Sequence, residues 1–139
     1  MLAGLSLSLE QWQQMFQYIQ TCLPEEACGL IGGKKTQADL ILPVENEAHS
    51  PVRFRMKPEQ QLAAFLTFEQ NGLDLIGIYH SHPTGPDFPS ETDLSEFAYP
   101  GTAYLIWSFT NTEWKLHGYQ LDGGRFIEIP VNVHLRNSL

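Results

Sequence analysis

The sequence predicts one α/β (α+β) domain spanning residues 1–139, a mixed β-sheet with flanking helices. Three observations carry this. The length of 139 residues suits one hydrophobic core. Strand-like and helix-like patterns alternate through the first two thirds of the chain, whereas the last third reads as strands joined by tight turns. A content of 42% hydrophobic, 12% aromatic and 17% charged residues is that of an ordinary globular protein, so periodicity can be read directly.

Leu5 and Leu7 alternate with Ser6 and Ser8, which predicts a short strand. It runs into a helix whose start, Ser8-Leu9-Glu10-Gln11, has the capping-box pattern. Leu9, Trp12, Met15, Phe16 and Ile19 mark one helical face, and Pro24 ends the segment. Ala27 to Gly33 reads as a buried strand, Gly33-Lys34-Lys35 as a turn, and Asp39 to Val44 as the next strand. After a loop containing His49 and Pro51, Pro58 opens a second helix with Leu62, Phe65, Leu66 and Glu69 at helical spacing, closed by Asn71-Gly72. Leu73 to Tyr79 is an apolar run of central-strand length, and it delivers His80-Ser81-His82 at its carboxyl end. Three prolines and a glycine make Pro83 to Pro89 a stiff irregular loop. Ser90 to Ala98 resembles a third helix, closed by Tyr99-Pro100-Gly101. Ala103 to Phe109, Trp114 to Leu121 and Arg125 to Val133 read as strands, with hairpin turns at Thr110-Asn111-Thr112 and Asp122-Gly123-Gly124.

A net charge of −8, with only eight basic residues scattered along the chain, argues against nucleic acid or an anionic membrane as partner. A neutral or basic partner surface is easier to accommodate. Cys22 and Cys28 are too few for a disulfide scaffold and match neither a redox pair nor a four-cysteine zinc site. The amino terminus lacks the charged and apolar regions of an export signal, so a cytoplasmic address is expected.

Residues i and i+2 of a strand share a face, so His80 and His82 project two imidazoles from roots roughly 6–7 Å apart. Both can reach one ion, and a catalytic zinc usually takes three protein ligands. Asp93 is the natural third, because the stiff loop and one helical turn would swing its carboxylate back toward the strand end. A dipositive ion held by two neutral imidazoles and one carboxylate activates water near neutral pH. An acid/base group off the metal must then take the proton, and Glu26 is placed for this at the start of a strand. Ser90 is placed to donate its hydroxyl hydrogen to a developing oxyanion.

His80-Ser81-His82-Pro83, six residues, Ser90, two residues and Asp93 reproduce the HxHPx6SxxD signature. The chain thus resembles the JAMM (MPN-plus) zinc metallopeptidases, of the prokaryotic stand-alone type. Pro24-Glu25-Glu26-Ala27-Cys28-Gly29-Leu30 is also similar to that family's glutamate motif, whose register selects Glu26 over Glu25. The resemblance runs from Leu5 to about Gly118. It implies a cytidine-deaminase-like fold, one zinc ion per chain, and hydrolysis of peptide or isopeptide bonds at the carboxyl tail of a ubiquitin-like or sulfur-carrier protein.

Other readings compete at particular residues. Ser90-Glu91-Thr92-Asp93 also fits a capping box, with Ser90 as N-cap. Arg53 and Arg55, flanking Phe54, suit either an extended substrate tail or a solvated face. His49, His117 and His134 are read as structural or exposed, and Cys28 as a buried inert thiol. At the level of function, a non-catalytic zinc-binding scaffold is the alternative to an enzyme. A nucleoside deaminase would need HxE and PCxxC motifs that this sequence lacks.

Overall fold

The computed structural model describes residues 4–90 and 101–135. In chain order its elements are β1 (Leu5–Ser8), α1 (Leu9–Cys22), β2 (Cys28–Lys34), β3 (Gln37–Val44), α2 (Pro58–Gln70), β4 (Asp74–His82), β5 (Ala103–Thr110), β6 (Glu113–Asp122), β7 (Arg125–Ile129) and β8 (Val131–His134). The strands form one mixed sheet in the order β7-β6-β5-β4-β2-β3-β1-β8. Within it β4 runs parallel to β5 and antiparallel to β2, so its carboxyl end lies between two strands near the middle of the sheet.

The β1–α1 junction follows from its capping residues. The Ser8 hydroxyl accepts from Gln11 N at 3.1 Å and Gln11 Oε1 accepts from Ser8 N at 2.9 Å, satisfying two amides a helix start leaves unpaired. Met15 and Ile19 then bury their side chains, and Trp12 and Phe16 pack on Trp107 of β5. These residues join Leu5, Leu7, Ile31, Tyr79 and Leu105 in one core cluster. A second cluster, containing Leu30, Ile78, Ile106, Ala64 and Phe68, is formed with α2.

The buried face of α2 differs from the predicted one. Leu62 and Leu66 are 59% and 49% exposed, and Ala64 and Phe68 are the buried residues. Close packing decides this. The Phe68 ring occupies the space above Gly32, where a Cβ would stand 2.5 Å from it, and a glycine in β2 therefore sets which helical face approaches the sheet.

The segment Arg125 to Val133 is two strands, not one. Pro130 separates β7, which pairs with β6, from β8, which pairs with β1 at the opposite end of the sheet order. Proline has no amide hydrogen for a ladder, so pairing with β6 ends there, and the sheet curls until its two ends adjoin, with Val131 2.7 Å from where a Cβ on Gly118 of β6 would stand. The Pro130 carbonyl accepts from Leu5 N at 2.9 Å, stitching the β7–β8 junction to β1. The first predicted turn also falls later than expected, at Lys35-Thr36, with Lys35 at φ 55°.

Both late turns have positive φ at two successive residues, as type I′ hairpin turns require. Gly123 and Gly124 adopt it freely, whereas Thr112 does so at φ 64° with a branched Cβ. Thr112→Gly relieves roughly 1–2 kcal/mol of steric cost and adds somewhat less in unfolded-chain entropy. The expected result is a small rise in melting temperature, about 1–3 °C, read by thermal circular dichroism; a fall would show that the Thr112 contacts outweigh the strain.

Candidate metal centre

His80 and His82 occupy the end of β4, fully buried and 4% exposed respectively. His80 lies opposite Cys28 of β2 and Ile106 of β5, and His82 opposite Ser108 of β5. Their Nε2 atoms are 3.0 Å apart, with the ring planes at 66°. Two nitrogens bound tetrahedrally at 2.0–2.1 Å from one zinc would be roughly 3.3 Å apart, so the pair is set for a shared ion with little rearrangement.

Tautomer and ring orientation are fixed by neighbours. The Pro86 carbonyl can only accept, so His82 Nδ1–H donates to it at 2.8 Å and Nε2 keeps the lone pair. His80 stacks on Phe54, with centroids 4.6 Å apart at 26°, and meets Tyr104 edge-on at 5.8 Å.

Glu26 is the third member. It is 3% exposed, and its carboxylate and the two imidazoles place one donor atom each within 4.8 Å of one another. Its backbone is held on both sides: Glu26 N donates to Ser50 O at 2.8 Å, and Asn46 Nδ2 donates to Glu26 O at 3.0 Å. Ser81, the residue between the histidines, grips the next residue. Its Oγ accepts from Ala27 N at 2.8 Å, and its amide donates to Ala27 O at 3.0 Å. The side chains at 80 and 82 thus point to the site while the one at 81 ties the Glu26 segment to the same strand. Glu25 points elsewhere, its carboxylate 3.2 Å from His49 Nδ1 at the surface, so the two adjacent glutamates, both ahead of β2, part in direction.

Two imidazoles and a buried carboxylate are the donor types that zinc takes, and a divalent cation balances the carboxylate's charge. Ser90 is half-buried at the end of a described stretch. Asp93 and the predicted helix beyond Ser90 lie outside the described residues.

Among the described residues, the remaining sequence candidates are not members of this donor cluster. Arg55 pairs with Glu47 at 2.9 Å, Arg53 is exposed, and His117 pairs with Glu128 at 3.1 Å. Burial pushes the Cys28 thiol far up, and it donates to Val44 O at 3.3 Å, in keeping with an inert core residue.

Sequence reasoning missed three supporting residues. Phe54 was visible only as an aromatic between two arginines. Asn46 is 6% exposed and its side chain makes four bonds: Nδ2 donates to Glu26 O and Arg53 O, and Oδ1 accepts from Ala48 N and Arg55 N. Only its lack of charge between Glu45 and Glu47 hinted at burial. Asp87, inside the proline-rich loop, accepts from Ser108 Oγ at 2.5 Å and Thr110 Oγ1 at 2.9 Å. The Ser108 bond holds its carboxyl below the usual range against the opposing effect of burial, with Thr110 and Lys115 adding to the lowering.

The family model described as prokaryotic homologs of the JAB domain matches residues 9–117. The chain belongs to this family. This JAB-family protein is 41% identical over 110 residues to the desampylase of Pyrococcus furiosus, covering 78% of this chain and 76% of that one. It is 30% identical over 113 residues to the CysO-cysteine peptidase of Mycobacterium tuberculosis, covering 79% and 77%. Among solved structures it is similar to protein DSY2949 of Desulfitobacterium hafniense, with a TM-score of 0.86 at 28% identity over 96% of this chain and 94% of that one. The mixed sheet with flanking helices expected from the sequence is the fold observed, and it is also that of the JAB1/MPN domain protein AF2198 of Archaeoglobus fulgidus, with a TM-score of 0.60 at 20% identity over 94% of this chain and 97% of that one. Among the described residues of this JAB-family chain, no helix is long and apolar enough to cross a membrane.

Proposed function

We propose that the chain is a zinc-dependent peptidase that cleaves a peptide or isopeptide bond at the carboxyl tail of a ubiquitin-like or sulfur-carrier protein. The convergence of Glu26, His80 and His82 at the end of β4 carries this reading. Family membership, with relatives named desampylase and CysO-cysteine peptidase, supports the choice of substrate class.

His80 and His82 would hold one zinc ion, with Asp93 as the third protein ligand. When bound, zinc would polarise the scissile carbonyl and make water nucleophilic near neutral pH. Glu26 takes a proton from the attacking water and passes it to the departing amine, a transfer for which its buried carboxylate stands close to both imidazoles. Ser90 donates a hydrogen bond to the developing oxyanion. The burial of Glu26, His80 and His82 strengthens their interactions relative to water.

The test is a panel of ubiquitin-like and sulfur-carrier proteins bearing carboxyl-terminal extensions, some peptide-linked and some lysine-linked. Each is incubated with the protein as purified, with added zinc, and with chelator. Release from at least one member, abolished by chelator, is the expected result. Zinc bound at one equivalent with no release across the panel would favour a zinc-binding scaffold instead.

A further inference from the structure

The geometry points to Asp87 as a positioning residue for the metal centre, acting on His82 through the Pro86–Asp87 peptide. This rests on His82 being a zinc ligand, as proposed above. The carbonyl that accepts from His82 Nδ1 at 2.8 Å belongs to Pro86 and forms part of the amide joining it to Asp87. That amide would be free to turn in an exposed loop, yet Asp87 is bonded on both sides of its own backbone. Its carboxylate accepts from Ser108 at 2.5 Å and Thr110 at 2.9 Å, both on β5, with Lys115 Nζ at 3.9 Å. Its carbonyl accepts from the Tyr119 hydroxyl on β6 at 2.7 Å.

Ser108 is also the register partner of His82 across the β4–β5 ladder. The bonds therefore close a ring: His82, Pro86, Asp87, Ser108, and through the sheet back to His82. A ring of this kind ties the orientation of one imidazole to two neighbouring strands rather than to the loop alone. Partners that orient a metal-ligating histidine typically account for roughly 10–100-fold in metal affinity.

Asp87→Ala opens the ring without touching a proposed ligand. Zinc affinity, measured by competition with a chromophoric chelator, is expected to fall about 10-fold or more. The visible spectrum of the cobalt-substituted protein is expected to change as the His82 ring reorients. Asp87→Asn, which keeps an oxygen for both hydroxyls, should recover most of the affinity and the parent spectrum, a rescue that a general loss of charge would not produce. If Asp87→Ala does not fold, Ser108→Ala and Tyr119→Phe, each removing one bond of the ring, carry the same two readouts. Parent affinity and parent cobalt spectrum in the folded variants would overturn the proposal. Failure of the parent itself to bind zinc would instead overturn the metal assignment of His82.

Discussion

Glu26→Gln is expected to bind zinc as the parent does and to cleave at least about 100-fold more slowly, the low end of what a positioned acid/base group contributes. Glutamine keeps the shape of the side chain. It also leaves intact the backbone bonds to Ser50 and Asn46. The ability to accept and return a proton is lost. Zinc content and turnover measured on the same preparation separate two roles that proximity alone leaves together, because the Glu26 carboxylate lies within 4.8 Å of the imidazole donors. Loss of zinc along with activity would make Glu26 a ligand, and unchanged turnover would remove it from the chemistry.

His82→Ala is expected to abolish both zinc binding and cleavage, and His80→Ala to do the same. Each removes one of three proposed ligands, so the loss of affinity should exceed the roughly 10–100-fold associated with outer partners. A ligand that binds only the folded state stabilises it by about 2.7 kcal/mol at a hundred times its Kd. Thermal denaturation with and without zinc therefore reads binding independently of activity. The parent should melt higher with zinc, whereas the histidine variants should not respond. A zinc-dependent shift of parental size in His82→Ala would place the ion elsewhere. Of the two, His82→Ala is the cleaner variant, since His80 also stacks on Phe54 and its loss opens a packed contact.

The parts of this fold that could be read in the sequence are those where local chemistry decides the structure. The Ser8–Gln11 capping box, the run into His80-Ser81-His82 and the two late hairpin turns each carry their own instruction and fall where expected. What was hidden depends on partners distant in sequence. Leu62 and Leu66 have helical spacing, but the helix docks through Ala64 and Phe68 because Gly32 leaves room for the Phe68 ring. The break at Pro130 follows from proline chemistry, yet the destination of β8 beside β1 is a property of the whole sheet. The site divides in the same way. His80, His82 and Glu26 were legible from spacing and motif, whereas Phe54, Asn46 and Asp87 matter through bonds across 7 to 32 residues of chain or a ring contact no periodicity announces.

Metal-dependent hydrolysis at the end of β4 can be checked by stripping the parent with chelator and titrating zinc back while following cleavage of the best substrate from the panel. Activity should be absent without metal and saturate at one equivalent of zinc. Cleavage that persists in the stripped protein would show that hydrolysis does not depend on the metal.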